Sequence, residues 1–487
     1  MGVIEKIMSL AKESPYKEAI IDKSQRITYG ELIDKIRNFA DIIRSNSKNS
    51  SLPIGIFFPN CIEMVTWILA AEYCNKAVVL FNYKMKAEEL KYHLDNIDLD
   101  LLMMDVSCLV DENLNLVKLK EEYNTSIFSL KKKRSIRIDF EEGDYLCHFT
   151  SGTEGEPKAV IRTKKGIINE IEMTAEAIPM SKDQVFLTIP PLYHSFGLIA
   201  GTLLPLYYGY KLILVDQFVP SYIMKLLQNE KVTVLFAVPY MYYLLNTEAK
   251  QYNHTVGNLL YCFSAGAPLE VDISEFLRIF ENACIIQDYG STETGVISLN
   301  LDTINKPKSV GRAIKGREIC LSNTFNYGDK LVGEICIKNS DILRKYIYPE
   351  RLNKTNFIDE FYRTGDLGYV DRDGYIYLVG RINIMINVAG NKVDPVEVEN
   401  VISKIEGVEE VAVVGKSDKR IGKILIAFVV KKVDYLTEKE IKIECRKLLS
   451  NYKVPRKIVF VKEIPKGSIG KMKRKEMEEL LCSMELN

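Results

Sequence analysis

The sequence has no excess charge of either sign and no long hydrophobic run. Lysine and arginine together number 65, as do aspartate and glutamate, so the formal net charge is zero. Nucleic-acid-binding domains usually carry a basic excess. No stretch approaches the roughly 18 consecutive apolar residues of a membrane span, and charged residues interrupt the apolar N-terminus, unlike the core of a signal peptide. These absences argue against nucleic-acid and membrane-spanning roles and make the cytoplasm the expected location.

Closely spaced cysteine pairs are also missing. The ten cysteines are scattered without a single C-x-x-C pair, and the chain has only four histidines. Structural zinc sites and dithiol redox centres normally need such spacing, so neither is expected. The cysteines are therefore predicted to be buried, reduced thiols.

The length and the hydrophobic pattern predict one large domain followed by a smaller one. A chain of 487 residues with 47% hydrophobic residues exceeds the size at which a single core stops growing. Up to about residue 380, apolar runs alternate with amphipathic segments of helical length, which is typical of an α/β fold with largely parallel sheets. The clearest runs cover residues 54–58, 77–81, 211–215 and 233–238, and the clearest helical pattern covers residues 29–44.

The pattern restarts near residue 384 as a small α+β unit. It predicts a helix at 395–405, strands at 409–414 and 423–430, and a helix at 438–449. The predicted fold is therefore α/β, with helices packed against the sheets of a large N-terminal domain, plus a small mobile C-terminal domain. The predicted boundaries are 1–381 and 384–487, with a hinge near 381–384.

The sharpest local motif is F-T-S-G-T-E-G-E-P-K at residues 149–158. It combines three hydroxyl side chains, two glycines and a lysine directly after an apolar segment. Hydroxyls, open backbone N–H groups and a lysine together suit a polyphosphate. The motif is not the G-x-x-x-x-G-K-[ST] loop of common NTPases, and alone it is also compatible with a polar turn.

This motif and several others, in the same order, resemble the signature segments of the adenylate-forming (AMP-binding) superfamily. That superfamily includes acyl- and aryl-CoA synthetases, luciferases and nonribosomal peptide adenylation domains. The resemblance implies that the chain uses ATP to activate a carboxylic acid as its acyl-AMP and then transfers the acyl group to a thiol. The other matching segments are P-P-L-Y-H-S-F-G (190–197), S-A-G-A-P-L (264–269), Q-D-Y-G-S-T-E-T-G (287–295), Y-R-T-G-D-L-G (362–368), G-R (380–381), V-A-G-N-K-V-D-P-V-E-V-E (388–399) and P-K-G-S-I-G-K (465–471).

The resemblance implies a nucleotide and magnesium site. Asp366 is expected to accept both ribose hydroxyls, since a carboxylate has two acceptor oxygens. Glu293 is expected to hold Mg²⁺ with a hydroxyl contact from Thr153, in line with the preference of Mg²⁺ for oxygen ligands. The expected nucleotide-binding residues are Thr150, Ser151, Gly152, Thr153, Glu154, Gly155, Lys158, Gly266, Ala267, Pro268, Asp288, Tyr289, Gly290, Ser291, Thr292, Asp366, Arg381 and Lys471.

The same resemblance implies the catalytic and acid-binding residues. Lys471 is expected to bridge the acid and the phosphate during adenylation, together with Glu293 and His194 as catalytic groups. The thiol is expected to approach along Ala389 and Gly390, and the small domain to rotate about Asn383. The expected acid-site residues are His194, Ser195, Phe196, Val238, Tyr240, Ala265 and Gly290.

Three positions depart from the superfamily pattern. Asn383 replaces the usual Asp or Lys of the hinge, Glu154 replaces a hydroxyl residue in the phosphate loop, and Ala159 replaces a glycine. A carboxylate at residue 154 should be unfavourable beside a triphosphate unless it points to solvent or to Mg²⁺. A non-catalytic acyl-nucleotide sensor on the same fold therefore stays an alternative to the enzyme.

The expected substrate is a fatty or aromatic acid, because P-L-Y-H-S-F-G replaces the F-D-x-S segment that binds the ammonium of an amino acid. Coenzyme A is the favoured acceptor, and a carrier protein with its phosphopantetheine is the alternative. A kinase or ATPase is disfavoured, since neither a Walker loop nor an H-R-D and D-F-G pair is present. No feature specifies luciferase-like oxidation.

Overall fold

The computed structural model describes most of the chain. The described residues are 2–49, 51–108, 114, 116–130, 140–151, 157–181, 183–252, 256–267, 269, 276, 279, 280, 283–327, 329–338, 345–348, 356–382, 384–388, 391–418, 422–466 and 472–484. The described strands form two large mixed sheets, an antiparallel sheet and the sheet of a small C-terminal domain.

Four of the described helices, which begin at residues 29, 164, 395 and 438, have a side-chain cap at their first turn. Thr28 accepts a hydrogen bond from the Glu31 amide at 3.2 Å, and the Glu31 carboxylate accepts one from the Thr28 amide at 2.7 Å. This capping box opens the predicted helix, whose stripe of Leu32, Ile36 and Phe39 is buried. The α-helices are α1 (Val3–Glu13), α2 (Tyr29–Asn46), α3 (Ile62–Tyr73), α4 (Ala87–Asn96), α5 (Lys164–Glu176), α6 (Leu204–Tyr208), α7 (Pro220–Asn229), α8 (Pro239–Tyr252), α9 (Pro395–Ile402), α10 (Glu438–Leu448) and α11 (Arg474–Met484).

A π-helix at Phe196–Leu203 and a 3₁₀ turn at Asn451–Lys453 complete the helical elements of the described chain. In this part of the protein, no helix is both long enough and apolar enough to cross a membrane.

The first sheet is mostly parallel. In the order β16-β15-β14-β13-β12-β10-β11-β1-β2, the neighbouring strands from β14 to β1 all run parallel. Their carboxyl ends therefore lie along one edge of the sheet. Its strands are β1 (Glu18–Ile21), β2 (Arg26–Thr28), β10 (Val185–Thr188), β11 (Lys211–Leu214), β12 (Val234–Ala237), β13 (Tyr261–Ala265), β14 (Cys284–Ser291), β15 (Gly295–Asn300) and β16 (Arg312–Ala313).

The second sheet has a parallel centre and antiparallel flanks. Its order is β19-β9-β8-β4-β3-β5-β7-β6, and only β8, β4, β3 and β5 run parallel. The antiparallel pair β8–β9 encloses the glycine-rich motif. The strands are β3 (Ile54–Phe57), β4 (Val78–Leu80), β5 (Leu101–Asp105), β6 (Leu116–Glu122), β7 (Thr125–Leu130), β8 (Asp144–Ser151), β9 (Pro157–Thr163) and β19 (Lys345–Tyr348).

A third sheet, between residues 319 and 381, is antiparallel throughout its described pairs. The prediction of largely parallel sheets holds for the centres of the first two sheets and is wrong here. Short connections join strand 319–327 to 330–338, 357–358 to 361–370 and 361–370 to 376–381, and such connections cannot make the long crossover that a parallel pair needs. The strands are β17 (Ile319–Tyr327), β18 (Lys330–Lys338), β20 (Phe357–Ile358), β21 (Phe361–Val370) and β22 (Ile376–Arg381).

The small domain contains the predicted helix-strand-strand-helix series as α9, β25, β26 and α10. Strand β26 lies between β25 and β23 and also pairs in parallel with β27. The predicted boundary near 381–384 stays a prediction, although the chain turns there, with the amides of Ile384 and Met385 both donating to the Arg381 carbonyl. The remaining strands are β23 (Ile386–Val388), β24 (Asn391–Val393), β25 (Val408–Asp418), β26 (Gly422–Lys431) and β27 (Lys457–Phe460).

The cysteines follow their prediction only in part. Cys147, Cys262, Cys336 and Cys445 are buried free thiols, whereas Cys320 is exposed on the antiparallel sheet. Burial raises the pKa of Cys445 to about 11, so this thiol stays protonated at neutral pH.

A buried ion pair between Lys76 and Asp100 lies at the amino ends of β4 and β5 in the second sheet. Their side-chain atoms lie 2.6 Å apart, and both side chains are almost fully buried. Burial alone would raise the pKa of Asp100, but the Lys76 ammonium and hydrogen bonds from Ser47 and Lys48 lower it.

We expect Asp100→Asn to lower the free energy of unfolding by about 1.5–3 kcal/mol, since the buried ammonium loses its charged acceptor. Urea denaturation checks this value. The matched control is Asp34→Asn, which breaks an exposed pair with Arg37 and is expected to cost less than about 1 kcal/mol. Equal losses in both variants would contradict the role of burial.

Candidate active site

The segments singled out in the sequence meet at the carboxyl edge of the first sheet. Residues 190–197 follow β10, Val238 follows β12, and Ala265 at the end of β13 pairs with Asp288 on β14. In open α/β sheets, ligands bind beyond these strand ends. The parallel topology thus places the predicted acid and nucleotide segments side by side.

Asn60 ties the acid segment to the sheet. Its buried side-chain amide donates to the carbonyls of Pro190 and Val215 at 3.0 Å, and its oxygen accepts from the Leu192 amide at 2.9 Å. Gly197 allows close packing in the same segment, because a Cβ there would lie 2.6 Å from the Pro191 carbonyl oxygen. The backbone that carries His194 is therefore fixed from both sides.

The predicted acid-site residues differ in exposure. His194 and Phe196 are half-buried, and the Phe196 ring packs 5.2 Å from that of Phe236. Ala265 is buried, while Tyr240 is 68% exposed at the start of α8. Ser195 and Val238 are half-buried and Gly290 is exposed. The structure thus brings a mainly apolar set together, with Tyr240 and Gly290 on its open side.

Two histidines in this region are held neutral. Burial lowers the pKa of His194 to about 4, and burial together with the Arg162 charge does the same for His148. The His148 Nδ1 lies 3.1 Å from the Tyr193 carbonyl, which can only accept, so the Nδ1 carries the proton. Among the described residues, neither Nε2 atom has a hydrogen-bond partner.

His148 should make stability depend on pH. Its pKa falls from 6.5 in the unfolded chain to about 4 in the fold, so between these values the unfolded state binds more protons. Stability from this group is present above about pH 6.5 and is lost as the pH falls, by about 1.4 kcal/mol per unit.

We expect His148→Asn, which can keep the contact to Tyr193, to remove this slope when denaturation is measured from pH 7 to pH 4. The comparison with wild type is essential, because His93 and His194, whose pKa values burial also lowers to about 4, contribute slopes of the same sign, and Asp288 contributes one of the opposite sign. Parallel stability curves for the two proteins would contradict the assignment.

The ribose-side candidates form a connected cluster. The Tyr289 hydroxyl donates to Asp366 Oδ2 at 2.8 Å, and Arg381 Nε donates to Asp366 Oδ1 at 2.5 Å. Burial and the Asp366 charge raise the pKa of the Tyr289 phenol well above its ordinary value, so it stays a donor. Each Asp366 oxygen retains a second lone pair, which leaves one acceptor site per oxygen for a diol.

Asp288 is a buried carboxyl beside this cluster. Burial, with the nearby Glu170 charge, raises the pKa of Asp288 to about 8, so it is mainly protonated at neutral pH. It pairs across the strands with Ala265, and the exposed Gly266 and Ala267 follow directly. At this end of β13 and β14, the backbone of Gly266 and Ala267 is therefore exposed, and the buried Asp288 beside it is uncharged.

Glu293 lies in the tight connection between β14 and β15. Its side chain is only 8% exposed, and its charge contributes to the raised pKa of Arg381, which burial alone would lower. Ser291 and Thr294 hold the turn, since the Ser291 amide donates to Thr294 Oγ1 at 3.0 Å and the Thr294 amide donates back to Ser291 Oγ at 3.2 Å. Thr292 is half-buried beside Glu293.

The glycine-rich motif connects two paired strands next to this turn. Thr150 pairs with Lys158 and Ser151 with Pro157 in the β8–β9 hairpin. Arg162, further along β9, donates to the Thr292 carbonyl at 3.2 Å and so links the hairpin to the Glu293 turn. The hairpin that carries the predicted phosphate segment is therefore tied through Arg162 to the turn that carries Glu293.

The donor set fits a magnesium ion that is bound together with nucleotide. In the described part of the chain, no group of three His, Cys, Asp or Glu side chains could hold a metal alone. Mg²⁺ at nucleotide sites commonly uses one or two carboxylates together with phosphate oxygens and water. Glu293 can supply that carboxylate.

Several predicted site residues lie outside the described residues, and their roles stay predictions. Flanking structure locates three of the segments: β23 and β24 pair on either side of 389–390, Lys466 bridges Met472 around 467–471, and β22 ends just before 383. The residues concerned are Gly152, Thr153, Glu154, Gly155, Pro268, Asn383, Ala389, Gly390 and Lys471.

No motif in the sequence marks three residues that organise the site: Asn60, His148 and Arg162. Each lies in or beside apolar sequence, where a polar residue is rare enough to be a signal. That signal indicates that the residue is buried, but it does not indicate which segment the residue contacts. Arg162, for example, contacts Thr292, which lies 130 positions further along the chain.

Comparisons with known proteins agree with this geometry. A family model of AMP-binding enzymes matches residues 9–347, and one of the AMP-binding enzyme C-terminal domain matches residues 397–471. The chain is 30% identical to a 2-succinylbenzoate–CoA ligase of Oceanobacillus iheyensis over 95% of this chain and 96% of that protein. It is 26% identical to a Rhodococcus jostii ligase that acts on 3-[(3aS,4S,7aS)-7a-methyl-1,5-dioxo-octahydro-1H-inden-4-yl]propanoyl groups, over 96% of each chain.

The fold is similar to that of a solved enzyme, the o-succinylbenzoate CoA synthetase of Bacillus subtilis in complex with its acyl-adenylate intermediate. The TM-score is 0.82 at 24% identity over 97% of each chain. The predicted α/β fold with a large and a small domain, and the predicted class of AMP-forming acid–thiol ligase, are confirmed. The chain belongs to the AMP-binding enzyme family.

Proposed function

We propose that this protein is a CoA ligase that activates 2-succinylbenzoate, or an acid of closely similar shape, as its acyl-AMP. One observation carries the proposal. The acid segment 190–197 and Glu293 both follow strands of the first sheet at its carboxyl edge, and Asp366 contacts Tyr289 on β14 of the same sheet. The relatives named above support the substrate class. Both act on acids in which a short side chain joins a ring system.

In the first half-reaction, an oxygen of the substrate carboxylate attacks the α-phosphorus of ATP. The bond between this phosphorus and the bridging oxygen breaks, and pyrophosphate leaves. Asp366 holds the ribose diol, with Tyr289 and Arg381 fixing the carboxylate. Lys471 enters with the small domain and neutralises charge on the two anions that must meet, which is the largest single contribution expected from this site.

Glu293 would hold Mg²⁺ together with the nucleotide, and the bound ion would supply charge neutralisation on the phosphate oxygens. The chain's part is to hold the Glu293 carboxylate in a fixed position, largely removed from bulk water. Lys158 on β9 lies close to the phosphate segment and adds positive charge there.

In the second half-reaction, the sulfur of the thiol attacks the acyl carbon and AMP leaves. Ala389 and Gly390 form the thiol-side loop, because small residues permit a pantetheine arm to pass close to the backbone. Coenzyme A is the acceptor, whereas loading of a carrier protein and the cytoplasmic location stay predictions.

The apolar side chains of the acid site and its open side support a ring-bearing acid. Phe196, Val238 and Ala265 provide apolar surface, and the neutral His194 can contact a keto or carboxyl group without bringing a charge. 2-Succinylbenzoate carries a second carboxylate, which is costly to bury without a partner. The open side beside Tyr240 and Gly290 leaves such a group in contact with water.

Acid-dependent exchange of labelled pyrophosphate into ATP tests the proposal. The acid panel contains 2-succinylbenzoate, benzoate, a medium-chain fatty acid, a 3-cycloalkylpropanoate and phenylalanine. Exchange is expected to be fastest with 2-succinylbenzoate and absent with phenylalanine. Preference for the fatty acid would overturn the substrate class, and silence with every acid despite ATP binding would favour the non-catalytic sensor.

A further inference from the structure

We infer that two buried arginines, Arg162 and Arg317, are positioning residues for the carboxylate of Glu293. The inference rests on the proposed function, in which Glu293 holds the magnesium ion. It concerns how the turn at residues 291–296, here called the metal turn, is kept in place. Neither arginine is assigned a role by resemblance to the family segments.

Arg162 holds the first side of the metal turn. Its side chain is fully buried, Nη1 donates to the Thr292 carbonyl at 3.2 Å, and Nη2 donates to Glu170 Oε2 at 2.6 Å. The Thr292 carbonyl belongs to the peptide that precedes Glu293. The Arg162 guanidinium therefore connects β9 and α5 to the backbone immediately before Glu293.

Arg317 holds the other side. It is 9% exposed, and its Nη2 donates to the Thr294 carbonyl at 3.1 Å while its Nε donates to the Val296 carbonyl at 2.9 Å. The carbonyls of the residues on both sides of Glu293 are thus each bound by a buried guanidinium. Arg162 lies 130 positions before Thr292 in the sequence, and Arg317 lies 23 positions after Thr294.

Glu170 completes the arrangement. Its Oε1 accepts from the Val296 amide at 3.3 Å, and its other oxygen binds Arg162. Gly295 has a left-handed φ of +63°, and a Cβ at this position would lie 2.1 Å from Glu170 Oε2. The turn needs glycine here both for its backbone angle and for the close approach of the carboxylate.

Stability alone is a poor reason to bury these charges. Replacing a buried ion pair with apolar residues of similar volume is often neutral or stabilising, so such pairs tend to be explained by what they position. A metal carboxylate is sensitive to small displacements, and groups that orient metal ligands typically change metal affinity when lost. The contacts of both arginines end on the backbone of the metal turn, which fits this use.

Arginine-to-lysine changes separate positioning from charge. In Arg162→Lys the ammonium can still pair with Glu170, but it cannot reproduce the two-pronged contact to Glu170 and Thr292. In Arg317→Lys one ammonium cannot replace donors to two carbonyls. Arg317→Lys changes contacts on the other side of the metal turn, so this variant keeps the test valid if Arg162→Lys does not fold.

The first readout is binding of Mn²⁺, as a probe for Mg²⁺, in the presence of a non-hydrolysable ATP analogue, followed by electron paramagnetic resonance. Each lysine variant is expected to raise the Mn²⁺ dissociation constant by about 10- to 100-fold. The second readout is amide hydrogen exchange of the metal turn in the nucleotide-free protein, which should become faster. Asp100→Asn is the matched control, because it disturbs a buried ion pair whose hydrogen bonds go to residues 47–49 and 76 rather than to the metal turn, and it should leave both readouts unchanged.

The outcomes distinguish this inference from the proposed function. Wild-type protein that binds Mn²⁺ with nucleotide, beside lysine variants that bind it equally well, overturns the inference and leaves the function standing. Wild-type protein without nucleotide-dependent Mn²⁺ binding overturns the metal role of Glu293 and the inference with it. Weakened Mn²⁺ binding and faster exchange in the variants, with Asp100→Asn unchanged, support it.

Discussion

Replacing Lys471 with alanine is expected to lower the rate of acyl-AMP formation by about 10³-fold or more, because the site loses a cation at the meeting point of two anions. The thiol step with supplied acyl-AMP should change far less, since the role proposed for the lysine belongs to adenylation. Single-turnover assays of the two half-reactions measure this split directly.

Lys473→Ala is the matched control for this prediction. Lys473 lies two residues away, is about half exposed and pairs with Glu476 at 2.6 Å. We expect its removal to leave both half-reactions within about twofold of wild type, in keeping with the small value of exposed ion pairs. Equal losses of both half-reactions in Lys471→Ala would contradict the assignment of the lysine to adenylation.

Glu293→Gln is expected to weaken the magnesium dependence of adenylation, with a loss of about 10²-fold at limiting Mg²⁺. Glutamine keeps the size of the side chain but provides a neutral oxygen, which is a much weaker ligand for a hard cation. The measurement is the rate of pyrophosphate exchange as a function of free Mg²⁺.

Glu318→Gln serves as the control, because Glu318 is exposed and pairs with Lys338 at 3.1 Å on the antiparallel sheet. Its magnesium curve should overlay that of wild type. An unchanged curve for Glu293→Gln would remove Glu293 as the metal ligand and would direct attention to a different carboxylate.

The fold of the first two sheets could be predicted from local pattern. Residues 54–57 and 234–237 form buried strands where continuous apolar runs predicted them, and α2 follows its apolar stripe. The antiparallel third sheet was missed in part because its edge strand β17 is half exposed, although the neighbouring strand β18 is mostly buried. Strand β17, for example, has no fully buried residue, so its hydrophobic contrast is weak.

The structure around Glu293 also could not be predicted from its neighbouring residues. Taken alone, a glutamate in S-T-E-T-G is typical of a helix start, yet here it lies in a strand-to-strand turn. The turn depends on the left-handed Gly295 and on Glu170, which lies 126 positions before Val296. Such a partner leaves no mark within the motif.

The positions of the site segments relative to one another follow from parallel pairing, which brings successive carboxyl ends to one edge. The buried charges do not follow from it. Arginine and glutamate are exposed by default, and Arg162, Arg317 and Glu170 become buried only because their partners arrive from other elements. Their role was therefore visible only once the sheets were assembled.

The central claim is tested most directly by incubating the protein with 2-succinylbenzoate, ATP, Mg²⁺ and coenzyme A, and identifying the products by mass spectrometry. We predict a succinylbenzoyl-CoA thioester with one AMP and one pyrophosphate for each thioester, and none of these without the acid. Formation of ADP, or AMP release that does not depend on the acid, would contradict the account.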